Sequence, residues 1–115
     1  MSTFKNEHSF SDRIAESNRV LQKYPDRLPL ICEKVSSSKL EQIDKKKYLV
    51  PRDLSFGQFI YVIRKRLRLR SEKAIFIFVN GIIPPCNAQI NNYYFTNRDR
   101  DGFLYLTYSS ENVFG

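Results

Sequence analysis

The carboxyl-terminal segment holds the residues whose chemistry is simplest to name. Residues 109–115 are mostly small, and the last of them is Gly115. A glycine has no Cβ, so it threads a narrow channel and leaves its acyl carbon unhindered when the carboxyl group is activated as an adenylate or a thioester. Glycine is common, at roughly 7% of residues in proteins, so the tail alone is a weak signal. It predicts carboxyl activation and transfer only in combination with a suitable fold.

Side chains typical of catalysis or metal binding are sparse. His8 is the only histidine, and Cys32 and Cys86 lie 54 positions apart with no second thiol near either. This spacing matches neither a disulfide framework nor a zinc site. We therefore expect free thiols and a reducing, intracellular compartment, and we predict no enzyme activity, no metal and no cofactor.

The positive charge of the chain is concentrated in its middle third. The 115 residues include 19 Lys and Arg against 12 Asp and Glu, a net charge of +7. Residues 34–73 hold twelve basic and four acidic side chains, so this segment carries an excess of eight. Such a segment predicts an anionic partner, which could be nucleic acid, acidic peptide or anionic lipid. No apolar run is long enough to span a membrane, so we expect one soluble globular domain.

Hydrophobic periodicity predicts the elements that must position these groups. It indicates helices over 10–24 and after residue 55, where Ser55 and Gln58 fit a capping box. Strands are predicted over 28–35, 46–50, 74–79 and 102–108, with a weak helix or irregular segment over 89–95. The order favours an α+β fold, a β-grasp with one mixed four-stranded sheet. The split βαβ sheet of RNA-recognition modules is the alternative.

The RNA alternative has one supporting motif near the last strand. Laid against the RNP1 pattern, residues 101–108 match at Gly102, Phe103 and Tyr108. They fail at Asp101, where a cation should meet phosphate, and at Leu104, where a small residue should leave room for a stacked base. Aromatic strand residues belong more often to a core, so single-stranded RNA binding is the less favoured function.

Several runs of residues, in order along nearly the whole chain, match one known family. The most specific are YPDRLPLICEK at 24–34, DKKKYLVP at 44–51, AIFIFVN at 74–80 and DRDGFLY at 99–105, with shorter matches at 4–5, 13–17, 57–59 and 63–66. In these runs the chain resembles the Atg8 family of autophagy modifiers, closest to the fungal type. The resemblance implies a ubiquitin-like β-grasp with two additional amino-terminal helices. It divides the chain into a helical extension (1–27), a core (28–108) and a conjugation tail (109–115).

The resemblance also implies a function. Family members are not enzymes; they are conjugated through the terminal glycine, here Gly115, to the amine of phosphatidylethanolamine. E1-like, E2-like and E3-like enzymes carry out the conjugation, and a cysteine protease processes and deconjugates the modifier. The expected roles are autophagosome formation and capture of cargo receptors, with the protein in the cytoplasm and, when lipidated, on autophagosomal or vacuolar membranes. No nucleic acid partner is expected.

A peptide groove is expected beside the strand around residue 48. Strand alternation puts Lys47 and Leu49 on one face and Tyr48 and Val50 on the other. If this strand lies at a sheet edge, an extended peptide can pair with it as an additional strand. By resemblance the peptide reads aromatic-x-x-aliphatic after acidic residues. The implied aromatic pocket is Glu16, Val20, Pro29, Ile31, Lys47, Leu49 and Phe103; the aliphatic pocket is Tyr48, Val50, Pro51, Leu54, Phe59 and Val62; the acidic-flank contacts are Arg27, Lys45 and Arg66. From the residues alone, ordinary core positions are favoured for Ile31, Val50, Phe59 and Val62.

Overall fold

The fold is a mixed four-stranded sheet with helices on both faces. The computed structural model describes residues 2–112, so Gly115 lies outside the described residues. The helices are α1 (Thr3–Glu7), α2 (Phe10–Lys23), α3 (Phe56–Leu67) and α4 (Asn91–Asn97), and the strands are β1 (Arg27–Lys34), β2 (Lys47–Pro51), β3 (Phe76–Val79) and β4 (Leu104–Ser109). The strand order is β2-β1-β4-β3, with β1 and β4 parallel and the other pairs antiparallel. The predicted α+β β-grasp with two amino-terminal helices is confirmed.

Helix α3 covers one face of the sheet and completes the main core. Its start is fixed by the predicted capping box: the Ser55 hydroxyl accepts from the Gln58 amide, and the Gln58 side chain accepts from the Ser55 amide. The side chains of Phe56, Phe59 and Ile63 are at most 1% exposed and pack with the inward-facing residues of all four strands. The apolar stripe expected from the helical spacing is therefore the stripe that holds α3 on the sheet.

The amino-terminal helices cover the opposite face, and the carboxylate of Glu33 anchors the start of α1 there. Glu33 accepts hydrogen bonds from the Ser2 hydroxyl (2.6 Å), the Thr3 hydroxyl (2.7 Å) and the Phe4 amide (2.9 Å). Burial alone would raise the pKa of Glu33, but these bonds and nearby Lys46 outweigh it and lower the pKa below its ordinary value. Phe4 is thereby held against Ile31 and Phe103 in a second, smaller cluster.

Asp101 joins α2 to the turn before β4. Its buried carboxylate accepts from Arg13 Nε (2.9 Å), the Tyr105 hydroxyl (2.5 Å) and the Phe103 amide (2.8 Å). Its carbonyl oxygen accepts from the Ser17 hydroxyl of α2 at 2.5 Å. The residue that breaks the RNP1 pattern is therefore a structural anchor, which sequence spacing did not reveal.

Strands β4 and β3 each begin two residues later than the sequence predicts, for local reasons. Strand β4 begins at Leu104 rather than at Gly102, because Gly102 has a φ of +93° and closes a turn with Asp99. Strand β3 begins at Phe76 rather than at residue 74, because pairing with β4 starts where Phe76 faces Ser109. Within residues 2–112, none of the helices is both long enough and apolar enough to cross a bilayer.

Candidate functional site

Strand β2 presents a free main-chain edge. Two main-chain hydrogen bonds fix the pairing of β2 with β1: the Cys32 amide donates to the Lys46 carbonyl (2.8 Å), and the Arg52 amide donates to the Asp26 carbonyl (3.2 Å). The main-chain N–H and C=O groups of the even-numbered residues from 46 to 52 therefore point towards β1. By the alternation of antiparallel pairs, Lys47 and Leu49 direct both their N–H and their C=O groups away from the sheet. Pro51 offers no N–H, so the outward donors of β2 end at Leu49.

A cavity of about 220 Å³ opens beside this edge on the face that carries α2. It is lined by six of the seven residues expected for an aromatic pocket, together with two residues expected elsewhere: Glu16, Val20, Pro29, Lys47, Leu49 and Phe103, joined by Lys45 and Tyr48. The seventh, Ile31, is fully buried in the small cluster with Phe4 and Phe103. Helix α2 therefore supplies one wall, and strands β1 and β2 supply the floor and the rim.

An ion pair links the two walls of the cavity. Lys47 Nζ lies 2.5 Å from a carboxylate oxygen of Glu16, and about half of the Lys47 side chain is exposed. An ion pair between such solvent-accessible groups typically contributes only about 0–1 kcal/mol. The link between α2 and β2 is therefore weak enough for an incoming carboxylate to replace Glu16 as the partner of Lys47.

The three consecutive lysines at the start of β2, Lys45 to Lys47, have three different partners. Lys45 Nζ lies 5.1 Å from the ring centroid of Tyr48, and Lys47 pairs with Glu16. Lys46 contacts the Thr3 hydroxyl and lies 3.5 Å from Glu7 and 3.9 Å from Glu33. Sequence reasoning assigned no role to Lys46, because its partners come from distant parts of the chain and leave no local signal.

The six residues expected for the aliphatic pocket occupy two environments. Phe59 is fully buried, and Tyr48 and Val50 are each 7% exposed, so these three belong to the main core beneath α3. Leu54 is partly buried against that core, whereas Pro51 and Val62 are exposed. Pro51, Leu54 and Val62 are thus the members of this set that a peptide could contact without displacing core side chains.

The three residues expected to meet acidic flanks are all exposed, and one is already paired. Arg66 donates to both carboxylate oxygens of Asp44, from Nε at 2.8 Å and from Nη2 at 3.3 Å. The hydrogen bond from Arg66 lowers the pKa of Asp44 and raises that of Arg66. Arg27 lies opposite Pro51 in the β1–β2 register, and Lys45 lies at the cavity itself. An acidic peptide would compete with Asp44 for Arg66 in full solvent.

Comparison with known proteins decides the family. The model of the autophagy protein Atg8, described as ubiquitin-like, matches residues 12–115. The chain belongs to the Atg8 family. It is 60% identical to Autophagy-related protein 8 of Neosartorya fischeri and of Aspergillus niger, over 99% of this chain and 97% of each relative.

Solved Atg8 structures have the same fold. Trypanosoma brucei ATG8 is 44% identical with a TM-score of 0.91, and the match covers 95% of this chain and 94% of that one. Plasmodium falciparum Atg8, solved in complex with a P. falciparum Atg3 peptide, is 36% identical with a TM-score of 0.87, covering 96% and 98%. The chain is therefore a ubiquitin-like modifier of autophagy and not an enzyme. The RNA-binding alternative finds no support, because the aromatic residues Phe103 and Tyr108 are buried and cannot stack on bases.

Proposed function

We propose that the groove along β2 binds peptides of the acidic aromatic-x-x-aliphatic type by strand addition. The observation that carries this proposal is the free edge of β2, where Lys47 and Leu49 offer two N–H and two C=O groups beside a cavity of about 220 Å³. An aromatic side chain enters the cavity between α2 and β2. An aliphatic side chain further along the same strand meets the surface of Pro51, Leu54 and Val62.

Acidic residues before the aromatic side chain would be attracted by the cations at the rim. Lys45 has no ion pair within residues 2–112, and Lys47 and Arg66 each pair with one carboxylate, that of partly buried Glu16 and that of exposed Asp44. With Arg27 they form the proposed contacts for acidic flanks. Two partner classes are proposed on this basis: cargo receptors that carry such motifs, and an E2-like enzyme of the Atg3 class, by analogy with the peptide bound in the P. falciparum Atg8 structure.

Gly115 is the proposed site of conjugation to phosphatidylethanolamine. Its carboxyl group is activated as an adenylate, passes to E1-like and E2-like thiols as a thioester, and forms an amide with the lipid amine with an E3-like enzyme assisting, so that the thiol is released. A cysteine protease exposes the glycine and reverses the bond. Membership of the Atg8 family and the small-residue tail 109–115 support this proposal. It places the protein in the cytoplasm and, when lipidated, on autophagosomal or vacuolar membranes.

The groove is tested by truncating one side chain at its centre. Leu49→Ala removes apolar surface that the peptide would cover, so we expect the affinity for an acidic Trp-x-x-Leu peptide to fall about tenfold in calorimetry. Ile82→Ala is the matched control, because Ile82 is 66% exposed in the turn after β3, at the other edge of the sheet. Equal affinities for the two variants would remove the groove assignment.

The conjugation site is tested by adding one methyl group. Gly115→Ala places a Cβ next to the activated carbon, so conjugation to phosphatidylethanolamine vesicles by the E1-like and E2-like enzymes should fail while thermal stability stays unchanged. Asn112→Ala, an exposed tail position, should conjugate normally. Mass spectrometry reads the lipid amide on the last residue, and a normal amount of amide on the Gly115→Ala variant would contradict the mechanism.

A further inference from the structure

A cleft rich in cations, which the proposed peptide groove does not use, lies between the end of α3 and the loop 39–41. Its volume is about 430 Å³, and three leucines contribute apolar lining. The charged and polar residues that matter here are four cations, Lys39, Arg68, Arg70 and Lys73, with Glu41 as the acidic lining residue and Ser110 at the start of the tail. We call this feature the basic cleft.

Arg64 fixes the loop that carries three of these cations. Its guanidinium donates to the carbonyl oxygens of Lys73 (2.7 Å), Arg70 (2.8 Å) and Ser71 (3.4 Å), so the loop after α3 is folded back on the helix. Arg68 occupies the left-handed position at the end of α3 with a φ of +55°. Glycine or asparagine is the usual residue there, so an arginine is present at some conformational cost.

The cations of the basic cleft lack compensating charge. Within residues 2–112, Lys39, Arg68 and Lys73 form no ion pair, and Arg70 lies 3.9 Å from Glu72 in a pair that is largely exposed on both sides. Neutral surroundings would not offset the mutual repulsion of four cations around one cavity. The cleft therefore favours a ligand that brings several negative charges.

The position of the tail indicates which anion the basic cleft meets. Ser110 lines the cleft, and Gly115 follows it by only five positions, which is a reach of at most about 18 Å. If Gly115 is bonded to a membrane lipid, which is the proposed function on which this step rests, the cleft cannot lie far from the bilayer surface. We propose that the basic cleft binds the phosphate and carboxylate groups of anionic phospholipid head groups and so orients the domain on the membrane.

The test begins with the whole, unlipidated chain, so that it does not depend on conjugation. Binding is measured at about 0.1 M salt, where the Debye length is about 10 Å, by sedimentation with vesicles of phosphatidylcholine alone and with vesicles of equal parts phosphatidylcholine and phosphatidylserine. The double variant Arg68→Gly/Arg70→Gln removes two cleft cations, and glycine suits the left-handed position, so the domain stays folded. We expect its partition onto the anionic vesicles to fall about 25-fold, or about fivefold for each cation.

The matched control removes the same charge elsewhere. Arg19→Gln/Lys23→Gln lies on α2, which packs on the face of the sheet opposite α3. This control should bind the anionic vesicles within about twofold of the unchanged chain. Equal losses in the two double variants would show attraction by net charge alone and would overturn the site. Equal binding to neutral and anionic vesicles would overturn it as well.

Two further arms separate the remaining explanations. If polyglutamate binds the unchanged chain more tightly than the cleft double variant, while the anionic vesicles do not distinguish them, the cleft serves an acidic protein and the proposal is wrong. Conjugation is scored separately by the lipid amide on Gly115. If no lipid amide forms but vesicle binding still depends on the cleft cations, only the proposed conjugation is wrong. If the amide forms normally but vesicle binding does not depend on the cleft cations, only the cleft proposal is wrong.

Discussion

Replacement of Gly102 by alanine tests how the wall of the peptide groove is held in place. A Cβ on Gly102 would lie 2.3 Å from Ser17 Oγ and 2.9 Å from Ser17 Cβ, and the backbone there has a φ of +93°. Ser17 is fully buried in α2, and its hydroxyl bonds the Asp101 carbonyl, so it has no free space to move into. The methyl group must therefore push α2, which carries Glu16 and Val20, away from the turn that precedes β4.

The cost follows from three contributions. Holding alanine at a positive φ costs about 1 kcal/mol or more, overpacking a closed contact costs about 1–3 kcal/mol, and loss of the Ser17 hydrogen bond costs about 1 kcal/mol. We expect Gly102→Ala to lower the free energy of unfolding by about 4 kcal/mol, as measured by urea denaturation. The affinity of the groove for a Trp-x-x-Leu peptide should fall as well, because one wall has moved.

A double-mutant cycle with Ser17→Gly isolates the clash. Ser17→Gly alone should cost about 2 kcal/mol, from a glycine in a helix and the lost hydrogen bond. In the double variant the methyl group has room, so the total cost should be about 2–3 kcal/mol smaller than the sum of the single effects. Additive effects would refute the reasoning, since they would mean that the methyl group on residue 102 does not meet Ser17.

Two further predictions concern buried polar groups. Glu33→Gln weakens three bonds to the start of α1, so amides of α1 should exchange with deuterium faster, by an amount equivalent to about 2 kcal/mol. Because the pKa of Glu33 is lowered in the folded state, this anchoring is complete at pH values above the ordinary pKa of a glutamate and is lost as pH falls through the pKa of Glu33 in the folded protein. Unchanged deuterium exchange of α1, both in the variant and at low pH, would contradict the prediction. Tyr108→Phe removes a hydroxyl that donates to the Glu41 carbonyl (2.6 Å) and accepts from the Ile43 amide (2.8 Å), so urea denaturation should show a loss of about 2 kcal/mol. Burial raises the pKa of Tyr108 to about 12. The stabilisation from Tyr108 is therefore complete below the ordinary tyrosine pKa and is lost as pH rises through about 12. Absorbance of the tyrosinate measures this ionisation, and a Tyr108 that ionises near the ordinary tyrosine pKa would contradict the prediction.

The sequence predicted what depends on local spacing. The capping box of Ser55 and Gln58 and the apolar stripe of α3 follow from neighbours within a few turns, and the two faces of β2 follow from a period of two. Assignment to a β-grasp needed only the order of these elements. The aromatic pocket came from the resemblance, and the structure brings most of its expected members around one cavity.

Pairings between distant residues could not be predicted in this way. The partners of Asp101 include Arg13, which lies 88 positions away, and Lys46 meets Thr3 across 43 positions. Charge counting recognised the lysine run and the arginines after residue 63 as one excess, but it could not show that Lys46 anchors α1 while Arg64 holds a loop. Burial likewise separates Phe59 from Val62: both were expected in the core from the residues alone and in the groove by resemblance, but Phe59 is fully buried and Val62 is exposed.

The central position of β4 has a consequence for how the chain is made. It pairs with both β1 and β3, so Leu104–Ser109, the last of the four strands in chain order, joins the two halves of the sheet. Until that strand leaves the ribosome, β1 and β3 have no common neighbour, and the main core stays open on one side. Completion of the sheet must therefore wait for β4, and until that strand is available the nascent chain exposes unpaired strand edges.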